Sequence, residues 1–165
     1  MHRALAAFAL TLISGAVRTM VAQAPANKAC GLVTASELQT ILGGSVTLTP
    51  SSIGEVQMCT GKTQTASVVV RLFKRTTDPS GRTEQAGIDA VKRMGAQVDV
   101  KTSGGITCMT TVPPPSLTQY GYGTTCTVAS KAPIFAVIEV TAKAQKDMVP
   151  MERLRAIAER MANRI

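Results

Sequence analysis

Alternating apolar and polar positions predict that much of this chain is β structure. In the clearest run, Ala66–Lys74, residues Val68, Val70 and Leu72 share one face, because successive side chains of a strand point to opposite sides. Similar runs cover residues 55–60, 124–130 and Ile134–Ala142, and residues 46–48 form a shorter one. A further run begins at Gln97, is interrupted at Gly104 and Gly105, and ends at Met109 or Val112. Short turns between the longer runs predict an antiparallel sheet of about five strands.

Helical periodicity appears at three places between and after these runs. Thr34 and Glu37 form a capping-box pattern that predicts a short helix ending at Leu42. A second helix is predicted for residues 83–94, and a third follows Pro150. The apolar stripe of the third helix is formed by Leu154, Ile157, Ala158, Met161 and Ile165. We therefore expect an α+β domain in which the helices pack on one face of the sheet.

The first 26 residues are typical of a secretory signal peptide. A basic start is followed by an uncharged run from Ala4 to Val17, which is shorter than the roughly 20 residues that span a bilayer. Small residues follow, and we favour cleavage after Ala26 over cleavage after Ala24; an uncleaved anchor is the alternative reading. The remaining residues 27–165 suit a single exported domain, periplasmic or extracellular, with no transmembrane segment after cleavage.

The composition of residues 27–165 narrows the classes of partner. They contain no Trp, two Phe and two Tyr, so the core must consist mainly of aliphatic side chains and Met. Removing Arg3 and Arg18 with the signal leaves 16 basic and 10 acidic residues, a net charge of +6. The basic residues are scattered, which favours a role in solubility, although attraction to anionic envelope components is the alternative. Nucleic acid is not expected as a partner.

The four cysteines predict two disulfide bonds. If residues 106–112 and 122–128 form a hairpin with Val112 opposite Tyr122, Cys108 lies directly opposite Cys126. Cys30 then pairs with Cys59. A four-thiolate zinc site is the alternative, but it usually contains close pairs such as C-x-x-C, which this chain lacks. We expect no metal and no cofactor.

The residues needed for most catalytic mechanisms are missing from residues 27–165. The chain's one histidine is His2, inside the signal, and paired cysteines leave no thiolate nucleophile. The sequence contains no nucleotide-binding motif and no serine-nucleophile motif. We therefore expect a non-catalytic protein. A hydrolase that uses two carboxylates and a purely structural envelope protein are the alternatives.

One loop differs from ordinary connecting sequence. Residues 113–123 contain both tyrosines of the chain and three consecutive prolines. Tyrosines on a loop anchored by a disulfide offer contact area at low entropic cost, and the alternative is an ordinary hairpin loop. The candidate binding residues are Pro113, Pro114, Pro115, Tyr120 and Tyr122.

The segment Cys30-Gly31-Leu32-Val33-Thr34, with its capped helix ending at Leu42-Gly43 and a second cysteine at Cys59, resembles a known domain. It is similar to the extracytoplasmic sensor-like domain of secreted bacterial lipoproteins and membrane Ser/Thr kinases. The chain departs from that pattern in lacking a lipid-attachment cysteine and in carrying Ser103-Gly104-Gly105 in place of a Gly-x-Gly loop. The resemblance implies an exported module that binds a small ligand or a cell-envelope partner.

Overall fold

The computed structural model describes residues 27–74, 82–129 and 133–165. The predicted signal segment lies outside these ranges, as do residues 75–81 and 130–132. The strands are β1 Thr49–Ile53, β2 Val56–Lys62, β3 Ala66–Lys74, β4 Gln97–Ser103, β5 Ile106–Val112, β6 Tyr122–Ala129 and β7 Ile134–Ala142. The helices are α1 Lys28–Gly31, α2 Ala35–Leu42, α3 Arg82–Arg93 and α4 Met151–Ala162, with short 3-10 helices at Pro115–Tyr120 and Gln145–Asp147.

All seven strands form one antiparallel sheet in the order β1-β2-β3-β7-β6-β5-β4. The chain therefore builds two three-stranded units, β1–β3 and β4–β6, and then inserts its last strand between them. β7 pairs with β3 along its whole length and with β6 along nearly all of it. This insertion places side chains from distant parts of the sequence next to each other at the centre of the sheet.

The predicted number of about five strands is too low. Gly104 and Gly105 both have positive φ angles, 57° and 74°, and they turn the predicted single run into the hairpin β4–β5. β1 was missed because all five of its residues are exposed, so its sequence shows no apolar alternation. It pairs with β2 at the edge of the sheet and begins only at Thr49, so the short strand predicted for residues 46–48 is wrong.

One side of the sheet, which we call the core face, carries the main hydrophobic core. Val68, Val70 and Ile138 are fully buried there, and α4 packs across β5, β6 and β7. Four residues of the predicted stripe on α4 are buried as expected, while Ile165 lies beyond the helix and is partly exposed. Among the described residues, no helix has the length and apolarity needed to cross a bilayer.

The sequence predicted that the helices pack on one face of the sheet, and this prediction is wrong. α1 and α4 cover the core face, whereas α3 contacts β4 and its Val91 lies over the opposite side of the sheet. That side, which we call the groove face, carries half-buried apolar side chains such as Met109 and Val137. The end of α3 and the loop after β5 partly cover these side chains.

Both predicted disulfides are present. Cys30 is bonded to Cys59, with α-carbons 4.9 Å apart, and Cys108 is bonded to Cys126, with α-carbons 4.1 Å apart. The strand register places Cys108 directly opposite Cys126, as the hairpin argument required. No cysteine is left as a free thiol, so the zinc alternative does not apply.

A cluster around Glu37 joins α2 to the C-terminus. Glu37 completes the predicted capping box with Thr34 and also accepts hydrogen bonds from Arg160 and Arg164, each at 2.8 Å. The hydrogen bond from Arg164 is the main cause that lowers the pKa of Glu37 from 4.5 to about 2. Arg164 also donates to the backbone carbonyl of Leu32. Two arginines of the C-terminal segment thus hold the N-terminal helices against the rest of the domain.

Candidate functional site

The groove face contains an open hollow of about 670 Å³, which we call the groove. Its floor is formed by side chains of β3, β7, β6 and β5, and its walls by the end of α3 and the loop after β5. A hollow of this volume is within the usual range for a pocket that encloses a small molecule. The groove is therefore the candidate site.

The floor combines apolar side chains with one ion pair. Met109 and Val137 supply apolar surface, and Thr125 lies between their strands. Arg71 and Glu139 form an ion pair across β3 and β7, and both side chains remain about one-third exposed, at 39% and 34%. The register places Arg71 opposite Val137 and thus diagonal to Glu139, a separation that long side chains can bridge. The pair adds two charged groups to a floor that otherwise consists of apolar side chains and threonines.

Two large and highly exposed side chains line the groove. On the α3 side, Met94 is 58% exposed and adjoins Val91 and Ala96. On the loop side, Tyr120 is 73% exposed. Both side chains border the mainly apolar lining of the groove, and a contiguous apolar surface of this kind is typical of contact surfaces.

Two glycines hold the walls in place. Gly121 has a φ of 83°, and a β-carbon added there would lie 2.6 Å from Thr141 Cγ2 and 2.8 Å from the Ala142 carbonyl oxygen. Only glycine allows the loop to approach β7 this closely. Gly95 ends α3 with a φ of 87°, and a β-carbon added there would be 3.7 Å from Cβ of Pro114. The helix end and the loop therefore adjoin.

The structure brings together three of the five predicted loop residues. Pro113, Pro114 and Tyr120 line the groove. Pro115 instead begins the 3-10 helix, and Tyr122 begins β6, where it pairs with Ala142 on the side of the core face. The predicted loop therefore contributes one wall of the site, while the sheet contributes its floor.

Sequence reasoning did not single out the floor residues. Arg71 and Glu139 interrupt two strongly apolar strands, and a charged residue at a half-buried strand position is a signal that could have marked both. Their pairing depends on β7 lying beside β3, which the local sequence does not reveal. Met94 was predicted as the last residue of the second helix, but it lies just beyond the end of α3 and lines the groove.

The described lining contains few groups that could perform acid–base chemistry. Glu139 is its one carboxylate, and Arg71 neutralises it. The described residues also contain no group of three or more His, Cys, Asp or Glu side chains that could hold a metal ion. What the groove offers chemically is apolar contact, one ion pair and the hydroxyl groups of Tyr120 and several threonines.

Comparison with protein-family models, curated proteins and solved structures found no significant match for this chain.

Proposed function

We propose that this protein is a non-catalytic binding module that holds a small, mainly apolar molecule in the groove. The observation that carries the proposal is the hollow of about 670 Å³ with an apolar floor and a single ion pair within it. Small-molecule sites are concave and mostly apolar, with a few polar groups that fix the orientation of the ligand. The groove has each of these features.

The exported context is part of the same proposal. The two disulfides are typical of proteins from oxidising compartments, such as the periplasm or the extracellular space. Together with the signal-like first 26 residues, they support secretion. The resemblance of residues 30–43 and Cys59 to extracytoplasmic sensor-like domains supports a binding role in that location.

Fluorescence of the neutral dye N-phenyl-1-naphthylamine tests the proposal, because the dye becomes bright in apolar surroundings. The test compares the unmodified protein with Thr125→Phe, which places an aromatic ring on the floor of the groove. Phenylalanine suits a strand position, so the variant should fold. We expect the protein to bind the dye and Thr125→Phe to weaken binding at least tenfold.

Thr127→Phe is the matched control. Thr127 lies two residues further along β6 and on the same face, but it does not line the groove. This variant should bind the dye as the unmodified protein does. Equal binding by both variants, or no binding by the unmodified protein, would show that the groove is not a ligand site.

A further inference from the structure

The groove continues into a second hollow with a different chemical character. This hollow, which we call the basic end, has a volume of about 470 Å³ and shares Tyr120, Gly121 and Thr141 with the groove. Lys62 and Lys143 line it, and its described lining contains no acidic residue. The two hollows therefore meet at Tyr120, one mainly apolar and the other positively charged.

The strand register explains why the two lysines belong to the groove face. Lys62 pairs with Ser67, and Ser67 pairs with Thr141. Thr141 lies two residues after Glu139, so it is on the groove face, and Lys143 follows two residues later at the end of β7. Both lysines thus stand at one end of the sheet, on the side that carries the groove.

Both ammonium groups are available to a ligand. Lys62 and Lys143 are exposed, and neither takes part in any of the ion pairs found within the part of the chain that the structure describes. The Ser67 hydroxyl also lines the hollow, whereas the hydroxyl groups of Thr63 and Thr118 already donate to the backbone carbonyls of Ala66 and Pro115. The two ammonium groups and the Ser67 hydroxyl can donate several hydrogen bonds to one anionic group, and bonds to a charged group are the stronger ones.

We propose that the groove and the basic end form one site for a small amphipathic carboxylate. Its carboxylate lies between Lys62 and Lys143, and its apolar chain runs past Tyr120 along β7 towards Val137. Thr141 and Val137, both on the groove face of β7, are four residues apart, about 14 Å at about 3.4 Å per residue. This inference rests on the proposed function and names the chemical class of the ligand.

Three amphiphiles with the same ten-carbon chain test the charge preference. Decanoate, decan-1-ol and decyltrimethylammonium are titrated as dissolved monomers by isothermal calorimetry into the protein of residues 27–165 with both disulfides intact. We expect decanoate to bind at least tenfold more tightly than decanol, and the cation more weakly than the alcohol. Lys62→Gln combined with Lys143→Gln should remove the preference for decanoate and leave the affinity for decanol unchanged.

A second double variant controls for the loss of net charge. Lys28→Gln combined with Lys74→Gln removes the same two charges, but neither residue lines the basic end. It should keep the full preference for decanoate. Loss of the preference in this control would mean that long-range charge, rather than the basic end, selects the ligand, and the proposal would fail.

Other outcomes separate this proposal from the broader one. Equal affinity for decanoate and decanol, with both weakened by Thr125→Phe, would overturn the carboxylate site and leave the groove as a ligand site. Decanoate binding that is unaffected by Thr125→Phe would show that the chain does not enter the groove. Binding only to phosphatidylglycerol vesicles, without binding of monomeric decanoate, would assign the lysines to a membrane surface and also overturn the proposal.

Discussion

Single residues determine how closely the loop wall approaches the sheet. Gly121 accepts a positive φ and lies against Thr141 and Ala142 of β7, and its N–H donates to the carbonyl of Thr118 within the 3-10 helix. The adjacent Tyr120 lines both the groove and the basic end. The position of this tyrosine therefore depends on the absence of a side chain at the next residue.

Replacing Gly121 with Ala should move the loop away from β7. The added methyl group would overlap the Ala142 backbone, so we expect a loss of about 1–3 kcal/mol in the free energy of unfolding. Affinity for decanoate should also fall, because Tyr120 moves. Urea denaturation and calorimetry measure the two effects. In Gly87→Ala, where a β-carbon meets no atom within 4 Å, both quantities should be unchanged or slightly raised; an equal loss in both variants would contradict the argument.

Because the charged Glu37 carboxylate stabilises the fold, we expect part of the free energy of unfolding to be lost in acid. Its folded pKa is about 2, below the ordinary value of 4.5, chiefly because Arg164 donates to the carboxylate. A lowered folded pKa means that the stabilising contribution is complete above pH 4.5 and is lost as the pH falls towards 2. The unmodified protein should therefore be more stable than Glu37→Gln at pH 7, and the difference should shrink between pH 4.5 and 2. Denaturant titrations of both proteins across this range measure it, and a difference independent of pH would refute the assignment.

At the scale of elements, the entry into α4 depends on a buried hydrogen bond. Thr124 is a buried polar residue of the core, and its hydroxyl donates to the Val149 carbonyl at 2.7 Å. Val149 lies two residues before α4, which begins at Met151 without a side-chain cap. The bond therefore connects β6 to the segment that leads into the helix.

Thr124→Val keeps the shape of the side chain but removes the donor. We expect a loss of about 1–3 kcal/mol in unfolding free energy, because the Val149 carbonyl then remains buried without this partner. Thr124→Ser, which keeps the hydroxyl group, should retain the hydrogen bond and lose only what the missing methyl group contributes. Urea denaturation distinguishes the two variants. A valine variant as stable as the unmodified protein would show that the bond contributes little.

The elements that the sequence predicted well are those with a strong local pattern. The capping box of Thr34 and Glu37 marked the start of α2, and the apolar stripe around Leu154 marked α4. β1 has no such pattern, because an exposed edge strand is held by backbone pairing with β2. The turn at Gly104 and Gly105 appeared as an interruption, since its effect depends on φ angles rather than on hydropathy.

At the scale of the whole molecule, the groove forms because the last strand is inserted between the two units of the sheet. Arg71 and Glu139 are 68 residues apart, and they meet because β7 pairs with β3. The loop wall, by contrast, was visible in the sequence as a cluster of prolines and tyrosines. The local part of the candidate site could thus be predicted, whereas the floor required the strand order.

The two disulfides should contribute similarly to overall stability but differently to the groove. They close loops with separations of 29 and 18 residues, and chain entropy predicts on the order of 3 kcal/mol for each. Cys108 and Cys126 lie beside Met109 and Thr125 of the groove floor, whereas Cys30 and Cys59 join α1 to β2.

Replacing either pair with serine should lower the free energy of unfolding by a similar amount in urea denaturation. Under native conditions, only loss of the Cys108–Cys126 bond should weaken dye binding, so an equal loss of binding in both variants would show that the groove depends on the N-terminal bond as well.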